Sequence, residues 1–212
     1  MEYNFLILPK ILLMRKLLLF LVSFATQLAM SQVGVGTTNP SSELEISTDN
    51  AGIPALELNP QTSPTGTADG QISVIGDKLY MYDATRIKWL SVEISTLQFG
   101  RNGNVDNDNL HFGGNMVSGT AGALMPFDGT IVAITSMAAS GDDTDVNIRA
   151  RDVTNTNTID QTFSLSSLRY INTTTNFNFN AGDYITVRGR DNSTTAVDLT
   201  VIIWVKWRVD NP

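Results

Sequence analysis

The stretch AVDLTVIIWVKWRVD, residues 196–210, decides how the rest of the chain is read. Val197, Leu199, Val201, Ile203, Val205, Trp207 and Val209 recur at every second position. In an extended strand successive side chains point to opposite faces, so this spacing predicts one apolar row facing a core. The other row begins with Asp198 and Thr200 and ends with Lys206, Arg208 and Asp210, as a wet face should. Its middle, however, is Ile202 and Trp204. A large apolar side chain left in water forgoes roughly 1.5–3 kcal/mol of burial. Two covers fit: a loop of the same subunit, or a neighbouring copy. GTIVAITSMAA, residues 129–139, repeats the pattern more weakly, with Ile131 and Ala133 on one face and Val132 and Ile134 on the other. A strand apolar on both sides is central to a sandwich or lies at an interface. Ile202, Trp204, Val132 and Ile134 are therefore the candidate subunit-interface residues.

Working outward, residues 97–212 carry further period-two runs. In TDVNIRAR, Val146, Ile148 and Ala150 alternate with Asp145, Asn147, Arg149 and Arg151; in DYITVRGR, Ile185 and Val187 alternate with Tyr184, Thr186, Arg188 and Arg190. Phe177 and Phe179 alternate with asparagines. Turn clusters such as SGDD, NTNT and RDNSTT separate these runs. Some eight strands so punctuated predict a sandwich or jelly roll. Before it, residues 70–96 read as a β-hairpin segment built from ISVI, KLYMY and IKWLSV. There Tyr80 and Tyr82 share one face and Leu79 and Met81 the other, so a second surface is expected to cover it. Residues 32–69 hold Pro40, Pro54, Pro60 and Pro64 and few apolar residues, too few for a core of their own. We read them as a thin stalk.

Residues 1–31 read as a signal peptide. Arg15 and Lys16 precede an apolar run from Leu17 to about Ala29, and Ala29 and Ser31 occupy small-residue positions before Gln32. The run is shorter than the roughly 20 residues of a spanning helix. Met14 is a second candidate start. The whole chain carries net charge −7. Removal of residues 1–31 takes away Lys10, Arg15, Lys16 and Glu2, leaving 11 basic and 20 acidic groups, net −9. An acidic chain argues against nucleic acid as a partner. Cys is absent, which removes disulfides, thiolate metal sites and thiol nucleophiles. A secreted chain without disulfides must draw its stability from packing or self-assembly.

Few motifs point to chemistry. VGVGTTNP, residues 33–40, has two closely spaced glycines but neither the third glycine of a dinucleotide loop nor the Gly-Lys of a phosphate loop. Asp142, Asp143 and Asp145 in GDDTD form a possible ligand or calcium turn, and Asp106 and Asp108 a second acidic run; neither follows the helix-loop-helix calcium pattern. His111 is the sole histidine, so one chain cannot build a histidine triad or multi-histidine metal site. No catalytic, metal or cofactor residue is assigned.

Four stretches carry a family resemblance. VGVGTTNPSSELEI, residues 33–46, resembles a short motif near the N-termini of secreted Bacteroidetes proteins and in phage tail-fibre and adhesin shafts; the matching residues are Gly36, Thr37, Thr38, Asn39, Pro40, Leu44 and Ile46. KLYMYDATRIKWLSV resembles the hairpin that often follows it. LMPFDGTIVAI and FNFNAGDYITV are similar to strands of trimeric jelly-roll heads of the tumour-necrosis-factor and complement type, with Gly182 and Asp183 at the turn. No collagen-like repeat is present, unlike many such proteins. The resemblance implies an all-β protein: a jelly-roll sandwich head, residues 97–212, preceded by the β-hairpin segment and stalk. It implies a secreted or surface-exposed homotrimer, structural or adhesive and not an enzyme, with a surface glycan or protein as receptor. In that setting the paired glycines serve close approach of chains rather than a substrate. The alternative reading is a carbohydrate-binding module, calcium-assisted, with Tyr170, Tyr184 and the Asp142–Asp145 turn as first suspects.

Overall fold

The structure, a computed structural model, describes residues 14–18, 33–35, 44–49, 51–116, 121–190 and 193–212. The chain divides into two compact units, Met1–Leu58 and Asn59–Pro212. In the first, residues 14–18 are helical, and β1 (Val33–Val35) pairs in parallel with β2 (Leu44–Ile46). The Gly36–Pro40 motif and the cleavage point between Ser31 and Gln32 lie outside the described residues. Among the described residues no helix is long and apolar enough to cross a membrane.

The second unit is an all-β sandwich of two antiparallel sheets. Its elements are β3 (Ile72–Ile75), β4 (Lys78–Asp83), β5 (Lys88–Ser91), β6 (Ser95–Val105), β7 (His111–Phe112), β8 (Asn115–Met116), β9 (Ala123–Leu124), β10 (Gly129–Met137), β11 (Ser140–Gly141), β12 (Asp145–Arg151), β13 (Asn157–Ser164), β14 (Arg169–Asn172), β15 (Phe177–Phe179), β16 (Tyr184–Gly189) and β17 (Ala196–Asp210). The small sheet runs β13-β12-β16-β9. In the large sheet β17 lies between β6 and β10, and β10 pairs on its far edge with β14 and β15. After β9 the chain passes back and forth: β10 large, β12 and β13 small, β14 and β15 large, β16 small, β17 large. Each crossing brings one apolar row inward. Phe99, Ile131, Ile148, Phe179, Ile185 and Ile203 meet there, all essentially without solvent contact.

The period-two reading of the last strand holds through its centre. Leu199, Val201, Ile203 and Val205 are buried in the sandwich core. At each end it changes. The pairing with β6 slips between Val197 and Leu199, Asp198 adopts φ 54°, and Val197 becomes half-buried while Ala196 takes the core position. At the other end Val209 serves a second apolar cluster, Ile75, Tyr80, Tyr82 and Trp89, and Trp207 packs against both cores. A strand twists along its length, so one row of a 15-residue strand can serve two cores in succession.

The boundary expected near residue 96 runs through continuous structure. β5 pairs with β17 through Leu90↔Arg208, Trp89↔Val209 and Lys88↔Asp210. The second surface expected for the hairpin face is therefore the end of the last strand together with residues 59–69, which the sequence reading assigned to the stalk. Trp89 Nε1 donates to Pro64 O at 2.9 Å, and the Gly66 amide donates to Asn211 Oδ1 at 2.8 Å. A Cβ on Gly66 would lie 2.0 Å from the Tyr82 ring, so only glycine allows the segment this close. The opposite face, with Ile72, Leu79 and Met81, is exposed.

This junction yields a prediction. Trp89 is 3% exposed and packs on Tyr82 at a ring separation of 5.3 Å. Trp89→Ala is expected to cost about 3–5 kcal/mol. Urea unfolding followed by circular dichroism should show one transition moved to lower denaturant. A separate early transition for residues 59–96, with the remainder unshifted, would mean that the junction is not cooperative.

Candidate functional site

The outer face of the large sheet carries the most unusual chemistry for a solvent position. Cross-strand register sets its rows. Trp204 lies opposite Ala133 on one side and Thr96 on the other. Ile202 lies between Thr135 and Gln98, and Ile171 lies beyond Thr135. Thr200 lies opposite Met137. Ile202 and Trp204 are half-buried, not enclosed, while Met137 is 52% and Ile171 73% exposed. Together they form an oily strip across three adjacent strands. A shallow groove of about 400 Å³ lies over the part of it formed by Met137, Ile171 and Ile202, with Arg169, Thr135 and Thr200 also in its lining.

The other two interface candidates need correction. The pairing of β10 with β17 slips between Ile131 and Ala133. One extra residue on a bulged strand reverses the alternation beyond it. Ile134 therefore lies opposite Ile203 and is buried in the sandwich core, not on the outer face. Val132 is the extra residue, 8% exposed, outside both apolar clusters. Sequence reasoning missed Met137 and Ile171, which lie on neighbouring strands and reach the strip only through register.

Below the strip, toward the chain's end, the same sheet holds a polar cluster. Lys88 is 4% exposed, and its Nζ donates to Asn176 Oδ1 at 2.7 Å and Asn178 Oδ1 at 2.6 Å. Burial holds its pKa below the ordinary lysine range, and the charge of Arg208 adds to this. Arg208 is buried too; it pairs with Asp210 and donates to Phe179 O and Asn180 Oδ1. Arg86 pairs with Asp83 at 2.6 Å and donates from Nε to Thr175 O at 3.0 Å and from Nη2 to Val132 O at 3.4 Å. Arg86 and Lys88 tie the hairpin to β10, β15 and the loop between β14 and β15, and Arg208 ties β17 to β10 and to β15 and the residue after it. Each reaches carbonyl or amide oxygens already on hand, so they act as fasteners.

The acidic turn does not converge on a ligand. Asp143 accepts the amides of Ser167 at 3.0 Å and Leu168 at 2.6 Å, holding two residues of positive φ. Asp145 accepts from Ser164 Oγ at 2.6 Å, and the exposed Asp142 donates its amide to Thr195 O at 2.9 Å. Among the described residues no group of three or more His, Cys, Asp or Glu side chains could hold a metal ion. Asp108 pairs with Arg101 at 3.3 Å, and His111 is half-buried on β7 opposite Gly100 and Met116. Tyr170 stacks on Phe163 at 4.0 Å, as a prop for the core edge, and Tyr184 donates to Asn155 Oδ1 at 2.7 Å.

No family model, no curated protein and no solved structure matches this chain.

The Asp83–Arg86 fastener gives a pH prediction. Burial alone would raise the Asp83 pKa, but hydrogen bonds from the Arg86 amide and guanidinium outweigh it and hold the carboxyl below its ordinary range. Folding is therefore favoured at pH above the unfolded value, about 3.9, and that contribution is lost as pH falls through the lower folded value. Between pH 5 and 3 the wild-type urea midpoint should fall more steeply than that of Asp83→Asn. Parallel slopes would show that the pair contributes nothing.

Proposed function

We propose that this is a secreted structural or adhesive protein whose sandwich forms the head of a homotrimer, packed through the outer face of the large sheet. The observation that carries this reading is the strip of Ile171, Met137, Ile202 and Trp204. Within the chain Met137 and Ile171 stay exposed and Ile202 and Trp204 only half-buried. A contiguous apolar patch on a sheet face marks an interaction surface. A second copy is the occupant that the sequence favours. The last strand supplies the row, it is paired on both edges, and a chain without cysteines gains stability by mass action when copies assemble. The resemblance to trimeric jelly-roll heads supports the threefold arrangement, and the candidate signal sequence supports export. No feature of the described residues favours catalysis.

Light scattering coupled to size-exclusion chromatography tests the reading on the protein lacking residues 1–31. At micromolar concentration the wild type should run with three times the chain mass. Trp204→Asp places a charge in the strip and should give a monomer with an unchanged circular dichroism spectrum. A monodisperse wild-type monomer overturns the proposal.

A further inference from the structure

One glycine on the outer face of the large sheet has no reason within its own chain to be glycine. Gly100 lies inside β6 and pairs with Thr200 of β17 on one side and His111 of β7 on the other. A glycine in a strand interior weakens the strand, because it packs no side chain and loses the most freedom on folding. At the other glycines whose surroundings are described that cost has a visible purpose: each either adopts a positive φ or sits where a Cβ would come within 3.0 Å of a neighbour. Gly100 does neither. A Cβ there would meet only Leu199 O at 3.6 Å and Thr200 Oγ1 at 4.0 Å, ordinary van der Waals contacts, and its φ is not positive. The slip in the pairing of β6 with β17 falls between Val197 and Leu199, past Thr200, so no bulge accounts for it either. The use that remains for a glycine in a paired, unbulged strand is close approach by another chain.

Register places this bare step beside the oily strip. Met137, Thr200, Gly100 and His111 follow one another across β10, β17, β6 and β7 in a single row of the outer face. Phe99, one residue before Gly100, points the other way, into the core, where its ring packs on Phe112 at 5.1 Å. Thr200 is exposed and His111 half-buried, so the missing side chain leaves a notch open to solvent between them. One row along, exposed Gln98 lies opposite Ile202 of the strip. At the strip's far end stands its most prominent side chain. Ile171 is 73% exposed, on β14, an edge strand whose only strand partner is β10. From β14 to β6 is three strand spacings, about 14 Å. Knob and notch therefore share one face of one rigidly paired sheet and cannot meet within a chain.

This step rests on the assembly proposed above and gives it a specific contact. A ring of three joins its copies head to tail, so one patch of each copy meets a different patch of the next. Such a ring needs two unlike, complementary patches on every chain. We infer that the trimer closes by a knob and a notch, with Ile171 of each copy seated over Gly100 of the next, between its Thr200 and His111. The backbone at Gly100 is bare, so a branched apolar side chain reaches it without displacing any side chain of the receiving strand. A second copy is the occupant because the notch is continuous with the strip assigned to assembly, and because the same face supplies the knob that fits it. The bare step would thus cost the lone chain some strand stability and return it as contact in the ring.

Light scattering over a dilution series of the protein lacking residues 1–31 tests the contact. Gly100→Val fills the notch and should weaken assembly about tenfold or more, as overpacking a fitted contact does. Gly100→Ala adds only the Cβ and should weaken it less, which keeps the test valid should valine impair folding. Ile171→Ala should also weaken assembly, and the double variant Ile171→Ala with Gly100→Val should lose less than the two single losses combined, because residues in contact are not additive. The fold is checked separately. In the Trp204→Asp chain, where the strip is disrupted, Gly100→Val should leave the urea midpoint level or raise it, since valine suits a strand better than glycine. A lower midpoint there would show that the chain's own fold requires the glycine and would overturn the inference. A wild-type trimer indifferent to both Gly100 changes, or strictly additive losses in the double variant, would overturn it while leaving the assembly reading intact. A wild-type monomer would overturn both.

Discussion

The structure of residues 59–212 depends on the last strand having a partner on every side. β17 hydrogen-bonds β6 along one edge and β10 along the other, and where β6 begins, β5 takes over its edge. A central strand leaves few backbone groups unpaired, and here both neighbours are long. Its inward row closes two apolar clusters in turn, first the sandwich core and then the Tyr80–Tyr82–Trp89 cluster. A hairpin on its own is marginal in water. Joined to the end of β17, the same hairpin becomes an extension of the sheet, and residues 59–66 gain a floor to lie on.

Polar fasteners complete what the apolar rows begin. Arg86, Lys88 and Arg208 are cations withdrawn from water, which is costly unless geometry and hydrogen bonds compensate. Each meets that condition with oxygens from the loop around β15 or from the edges of β10. Removing one partner would leave a withdrawn charge with fewer oxygens to meet it. Such contacts therefore specify how the hairpin docks more than they add to stability. They also explain why the asparagines flanking Phe177, read from the sequence as the wet side of a strand, are in part engaged by Lys88 and Thr130.

Much of the fold was legible because strand side chains alternate with an unvarying period. Val146, Ile148, Ala150, Ile185 and Val187 fall in the core as that alternation requires. Legibility failed where the period breaks. A single extra residue near Val132 sent Ile134 inward, and a register slip near Asp198 moved Val197 off the core face. Neither position has a composition that announces it: Val132 sits between Ile131 and Ala133, with no glycine at the slip. The end of the stalk was misplaced for a different reason. Residues 59–69 look like linker because they are poor in apolar residues, yet they pack through main-chain carbonyls and a glycine, contacts that composition does not record. The oily strip was half legible: Ile202 and Trp204 betray themselves within one strand, whereas Met137 and Ile171 join them only through pairing.

The two outer faces of a sandwich point in opposite directions, and here their chemistry diverges as well. On the large sheet Ile171 and Met137 are exposed and Ile202 and Trp204 half-buried. On the small sheet the outer row of β12 carries Asp145, Asn147, Arg149 and Arg151. Ser164 donates to Asp145, Asn147 donates to Asp160, and Arg151 donates to Asn157. A polar row whose groups find partners within the sheet gives up little by lying next to water, whereas an oily row forgoes the free energy of burial. The asymmetry therefore lies in what each outer row has already satisfied: the small sheet meets its polar needs within the chain, and the large sheet leaves apolar area uncovered.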